Sequence, residues 1–429
     1  MSKHVVVGAG TAGFNAITTL LSLQPDADVT LVSAEVPYAR MVLPYYLSSE
    51  IAQANVYTVT PEQLERQGVK LKLGKRAAGL DRGGNRLQLE GGESVDYDDL
   101  LIATGSSSLR PPIGGVDGPG VYEHWTLDDT EALCKVVRPG AELAIVGAGF
   151  IAFTIVNPLL HAGCRLTLIE REPHVLPRML NAEAAVVLED WLREHGVRIL
   201  TGANLESIEN GPDGKKRLAV GGEAPVRADA VIVATGIRPN IEWLRDSGLT
   251  MNQGIVVDEQ QRSNDPAIYA AGDVAEITDM VTGQRTVMAI ETAAMEQGRI
   301  VGAAMAGQPR RYPGGMLMNV IEAAGLQAAS FGDWAGTQAS EGLAAGGHYR
   351  RYVWDGDRLA GVVIVGPARQ VAGENDMGML KGLVQSRRPL DAWKSLLVER
   401  PFEVRKAFLS AGTVGQLLPQ TLLGLGSGV

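Results

Sequence analysis

Apolar residues along this chain gather in short, unbroken, β-branched runs that end in glycine or in charge. The runs HVVV, DVTLVS, LLIA, LAIV, RLTLI and VIVA are each four to six residues long. Such runs predict strands buried on both faces, as in a parallel sheet flanked by helices. The stretch from Leu143 to Leu160 carries no charge over 18 residues, which just reaches membrane-span length. Two glycines and a proline interrupt it, and the same pattern occurs near the start of the chain, so strand–turn–helix is the better reading. Farther on, HYRRYVWDG followed by RLAGVVIVG predicts a hairpin with an Asp-Gly turn. Beyond it lie helices punctuated at Pro389 and Pro401.

The runs repeat as a set. HVVVGAGTAGF leads to DVTLVSAE and closes at LLIATG, with Ala103, Thr104 and Gly105; LAIVGAGFIAF leads to CRLTLIERE and closes at VIVATG, with Ala234, Thr235 and Gly236. Two copies of one βαβ-based module therefore stand in tandem, a duplication at domain scale.

Each copy opens with a strand running into a glycine turn and a helix. The first reads Gly-x-Gly-x-x-Gly (Gly8, Gly10, Gly13) and the second Gly-x-Gly-x-x-Ala (Gly147, Gly149, Ala152). The first glycine permits the tight turn, the second lets backbone approach a pyrophosphate, and the third small residue lets helix pack on strand. The phosphates then meet the free N–H groups and the dipole of the helix N-terminus. A carboxylate gripping the ribose belongs about 20 residues further on. Glu170 fits in the second copy; in the first Ser33 ends the strand and Glu35 is the candidate.

The 429 residues suit two or three domains. A net charge of −10 gives no reason to expect nucleic acid or an anionic membrane as partner. The two cysteines, Cys134 and Cys164, cannot build a disulfide framework, a zinc knuckle or a CxxC pair. The start MSKHVVVGAG has no secretory h-region, so a cytoplasmic location is the default.

With these motifs in order the chain resembles the pyridine nucleotide–disulfide oxidoreductase superfamily, within it the NADH:rubredoxin reductase and nitrite reductase flavin-module branch. SSSLRPPIGGVDG, HVLPRML with HGVRIL, IYAAGDVAE and ETAAMEQGRIVGAAMAG carry the likeness beyond the glycine turns. The resemblance implies an α/β fold of two Rossmann-like, doubly wound dinucleotide-binding domains, the second inserted in the first, plus a small C-terminal α+β domain. Residues 1–115 and 247–318 would bind FAD, 116–246 NAD(P), and 319–429 would form the α+β interface domain. Asp273 would hold the FAD ribityl chain, Thr292 and Ala293 would face the flavin pyrimidine ring, and Arg40 of Tyr-x-Arg would reach the pyrophosphate. Ala77, Thr104, Gly105 and Gly236 complete the expected cofactor contacts.

The departures from the family are informative. The disulfide and peroxidase branches carry a cysteine where this chain has Met41, in ARMVLPYYL. A thioether cannot form a thiolate or sulfenate, so thiol chemistry is not expected and both cysteines are read as inert. Many relatives have a glutamate where Thr154 stands, often paired with a lysine where Tyr45 stands. A neutral Tyr45–Thr154 floor of the nicotinamide site would weaken nicotinamide binding or slow hydride transfer. The implied function is an FAD-dependent NAD(P)H oxidoreductase passing electrons to a redox protein or quinone, with NADH preferred because Glu170 repels a 2′-phosphate. Arg171 opposes that preference. An FAD-holding electron-transfer subunit of a larger redox complex, with little or no nicotinamide turnover of its own, is the alternative, and a homodimer is also left open. A membrane-surface quinone reductase would rest only on the apolar tail TVGQLLPQTLLGLGSGV, which lacks the basic residues of interfacial helices.

Overall fold

The computed structural model describes residues 2–344, 348–368 and 371–410; the apolar tail from Thr413 onward lies outside them. The chain forms two compact units, which exchange at Ser107/Ser108, Gly236/Ile237 and Gly315/Met316, with Leu47–Glu50 counted in the second. The sequence-based division puts these changes at 115/116, 246/247 and 318/319.

The first unit is built on a parallel sheet. Its strands run in the order Ile268–Ala270, Asp99–Ile102, Lys3–Val7, Asp28–Ser33 and Lys70–Leu73. The apolar runs form the three central strands because both faces are covered: Val6, Leu31, Leu101 and Ile102 are buried. The helices Thr11–Leu23 and Glu291–Met305 pack against each other at backbone contact. A Cβ on Gly298 would stand 2.2 Å from the Ala12 carbonyl oxygen, and one on Gly302 2.4 Å from that of Ala16. Two three-stranded sheets flank this core.

The second unit repeats the plan. Its parallel sheet runs Arg198–Leu200, Arg165–Ile169, Glu142–Val146, Ala230–Val233 and Val121–Tyr122. The uncharged Leu143–Leu160 stretch is strand Glu142–Val146, a glycine turn and helix Phe150–His161. No helix among the described residues is long and apolar enough to cross a membrane. Pro158 lies inside that helix and has no N–H, so the Thr154 carbonyl lacks the donor that normally closes the turn four residues on.

The same unit holds a five-stranded antiparallel sheet, in the order Met318–Ala323, Leu326–Gly332, Arg358–Pro367, His348–Asp355 and Ala339–Ala344. The expected hairpin is present, but Asp355 pairs with Arg358, so the loop is Gly356-Asp357 rather than Asp-Gly. Gly356 takes φ +58°, the left-handed first position that a two-residue hairpin loop favours. Helices Val371–Ser386, Ala392–Glu399 and Val404–Ser410 follow, broken around Pro389 and Pro401. The sheet shares one core with the second glycine-turn module: Ile321, Ala323, Leu326 and Val365 belong to the same buried cluster as Ile155, Val156 and Leu188. That shared core is why the C-terminal segment joins the second unit.

Candidate active site: two glycine turns and their carboxylates

In the first unit the turn Gly8-Ala9-Gly10 links strand Lys3–Val7 to helix Thr11–Leu23. Gly8 has φ +110°, and a Cβ there would lie 2.1 Å from the Ala103 carbonyl oxygen; one on Gly13 would lie 2.0 Å from that of Gly8. Both positions are therefore closed to any side chain by the protein itself. Gly10 differs, because no atom beyond its chain neighbours comes within 4 Å of where its Cβ would stand. It is the N-cap residue and supplies no side-chain cap, so the first helical N–H groups face that open space.

Around this turn Glu35 accepts a hydrogen bond from the Tyr38 hydroxyl at 2.9 Å and an ion pair from Arg40 at 3.4 Å. The Arg40 guanidinium also lies 5.5 Å from the Tyr38 ring centre. Asp273 follows strand Ile268–Ala270, and its Oδ2 accepts from the Ser106 hydroxyl at 2.5 Å. Burial pushes the Asp273 carboxyl above its usual range, against the opposing pull of the Ser106 hydrogen bond and the Arg40 charge. Thr104 and Gly105 form a loop strapped by Asn240, which accepts from the Thr104 hydroxyl and donates to the Thr104 carbonyl. Gly105 takes φ +65° and accepts the Asn240 N–H at 2.9 Å. Thr292 and Ala293 stand in the first turn of helix Glu291–Met305, Thr292 exposed and Ala293 buried. Ala77 lies apart from these residues in sequence, on strand Ala77–Asp81 of a small antiparallel sheet. Tyr45 is 51% exposed on the short helix Leu43–Leu47, and Met41 is exposed one turn before it.

In the second unit the turn is built alike. Gly147 has φ +90°, and a Cβ there would lie 2.5 Å from the Ala234 carbonyl oxygen; Gly149, again an uncapped N-cap, has open space; Ala152 is fully buried. Gly236, with φ +129°, lies three residues beyond the closing strand Ala230–Val233. Glu170 is buried, and its two oxygens accept the backbone N–H of Ala148 at 2.7 Å and of Glu172 at 2.9 Å. Each oxygen keeps lone-pair capacity for a hydroxyl donor. Arg171 is exposed and pairs with Glu172 at 3.0 Å. The Thr154 hydroxyl donates to the Ile151 carbonyl of its own helix at 2.7 Å. Cys134 and Cys164 are free thiols in this unit, and burial pushes both above the usual thiol range.

Three contributors escaped the sequence reading: Ser106, Asn240 and Gln297, whose side-chain oxygen accepts the Gly272 N–H at 2.7 Å. Ser106 alone had a sequence signal, directly after the first Ala-Thr-Gly.

Residues 2–298 match the family model described as pyridine nucleotide-disulphide oxidoreductase. The chain is 29% identical over 422 residues to the NADH-dependent phenylglyoxylate dehydrogenase subunit epsilon of Aromatoleum evansii, covering 95% of this chain and 97% of that one. It is 32% identical over 319 residues to the probable ferredoxin reductase CtmF of Castellaniella defragrans, covering 72% of this chain and 77% of that one. Among solved structures it is similar to a NAD-dependent persulfide reductase from A. fulgidus, with a TM-score of 0.83 and 28% identity over 91% of this chain and 78% of that one. The chain belongs to the pyridine nucleotide-disulphide oxidoreductase family, and it is an FAD- and NAD(P)H-dependent oxidoreductase.

Proposed function

We propose that the protein oxidises NADH, passes the hydride to FAD and delivers electrons to a separate redox protein or quinone without a disulfide of its own. The observation that carries this reading is the pair of glycine turns, each with open space over an uncapped helix N-terminus at its second glycine. Two such cradles suit two dinucleotides, since each offers N–H donors and a positive dipole end to a pyrophosphate. Bound FAD supplies the hydride acceptor and the means of dividing an electron pair.

The chain's own residues hold the cofactors. Gly8, Gly10 and Gly13 give the FAD pyrophosphate its approach, and Arg40 supplies a guanidinium suited to phosphate. Asp273, fixed by Ser106, holds the ribityl chain. Thr104, Gly105, Ala77, Thr292 and Ala293 complete that cradle. Gly147, Gly149, Ala152 and Gly236 shape the nicotinamide-nucleotide cradle, where Glu170 accepts from the ribose hydroxyls. With Thr154 neutral and its hydroxyl bonded inside the helix, no carboxylate at that position orients the nicotinamide carboxamide, and hydride transfer should be slower than in relatives that keep one. Met41 takes the redox-cysteine position, and both real cysteines have thiols disfavoured as thiolates.

The test is anaerobic stopped-flow mixing of the yellow holoprotein with NADH. Prompt bleaching supports the reading, and a flavin that stays oxidised at millimolar NADH refutes it. The alternative, an electron-transfer subunit within a larger complex, is favoured by the end-to-end match to a dehydrogenase subunit. Purification from the native source without stably bound partners would count against it.

A further inference from the structure

We propose that Glu172 sets the nucleotide preference by neutralising Arg171, an inference that rests on the second glycine turn being the NAD(P)H site. Three consecutive charged residues, Glu170, Arg171 and Glu172, follow strand Arg165–Ile169. Glu170 grips the turn through the Ala148 N–H and, with its other oxygen, the backbone N–H of Glu172. This second bond fixes the backbone from which the Glu172 side chain springs. Arg171 is 76% exposed, and its Nη2 donates to Glu172 Oε1 at 3.0 Å.

An arginine just past the ribose carboxylate is suited to a 2′-phosphate, which it can bind through two parallel N–H donors. Here the guanidinium already has a carboxylate partner. The three side chains together carry one net negative charge, so a 2′-phosphate meets an anionic edge despite the arginine. Replacing Glu172 by glutamine brings that edge to neutrality and takes away the guanidinium's charged partner. Replacing Arg171 by glutamine makes it doubly negative. The backbone bond from residue 172 to Glu170 survives both changes, so the response reports charge rather than a collapsed loop.

The experiment measures kcat/KM for flavin reduction with NADPH and with NADH, and compares their ratio across variants. Glu172→Gln should raise the NADPH/NADH ratio roughly fivefold, and Arg171→Gln should lower it by a similar factor, as for one unit charge meeting a phosphate across water. The double Arg171→Gln/Glu172→Gln variant, with the original net charge, should fall back to near the wild-type ratio. The gain in Glu172→Gln should shrink at about 1 M salt, where screening reaches about 3 Å. An unmoved ratio in Glu172→Gln, or a gain that persists in the double variant, overturns the role of Glu172 while wild-type reduction by NADH leaves the site reading standing. A wild-type holoprotein reduced by neither nucleotide overturns both.

Discussion

Asn157, on the helix that opens at the second glycine turn, accepts the backbone N–H of Ala324 through Oδ1 at 3.0 Å. Trp191, on helix Ala182–Glu194, donates its indole N–H to the carbonyl of that same residue at 3.0 Å. Ala324 sits in the turn between the first two strands of the C-terminal sheet, at φ +51°. Two helices of the nucleotide module thus hold both polar groups of one left-handed residue.

Breaking either hold should destabilise the second unit. Asn157→Ala and Trp191→Phe should each cost about 1 kcal/mol in denaturant unfolding, the usual net value of a hydrogen bond. Because they meet at one residue, the double variant should cost measurably less than the two single losses combined. Strict additivity would show that Ala324 stays in place with either partner gone.

The glycines divide into two kinds, which substitution can separate. Gly13→Val should destabilise the protein even without cofactor, because its side chain meets the Gly8 carbonyl. At Gly10 an added Cβ meets no protein atom within 4 Å, so Gly10→Val should fold and melt normally yet lose FAD. Gly149→Val should likewise fold, retain FAD, and raise the KM for NADH by at least tenfold. Absorbance of the bound flavin, melting temperature and steady-state kinetics distinguish these outcomes.

Asp273 gives a pH-dependent prediction. Its carboxyl titrates above the usual range because burial disfavours the charge. A folded-state value above the unfolded one favours folding below about pH 3.9 and loses that contribution as pH rises through the folded value. For the apoprotein, the melting temperature of the wild type relative to Asp273→Asn should therefore fall as pH rises from about 4 toward 7. A gap that widens in the wild type's favour over that range would reverse the assigned sign.

Thiol chemistry should be dispensable. Cys164 is buried with its Sγ 3.5 Å from the Arg138 carbonyl oxygen, a bond serine can also make. The double Cys134→Ser/Cys164→Ser variant should keep the rate of flavin reduction by NADH within about twofold. A folded, FAD-loaded variant that no longer bleaches would assign a redox task to one of them.

Both glycine turns, both closing strands and Glu170 were legible in the sequence because local backbone demands select their residue types. Gly8 and Gly147 need positive φ, and buried parallel strands need unbroken apolar runs. What escaped was set by residues distant in sequence. Asn240 straps Thr104, Asn157 reaches Ala324, and the C-terminal sheet shares a core with the second module. No periodicity encodes such meetings, because they depend on where the finished sheets place each helix. The sequence offers Glu170 as a candidate ribose ligand; what it does not disclose is that the same carboxylate braces the turn through Ala148 and Glu172.

The contact of Gly298 and Gly302 with the Ala12 and Ala16 carbonyls bears on how the first unit opens. At these two glycines no side chain of helix Glu291–Met305 holds the backbones apart, so sliding or rotating one helix alone would drive backbone into backbone. Helices Thr11–Leu23 and Glu291–Met305, nearly three hundred residues apart in the chain, should therefore open as one cooperative element. Their slowest amides should exchange with a common free energy, and FAD bound at the Gly10 end should slow exchange in both helices by the same factor.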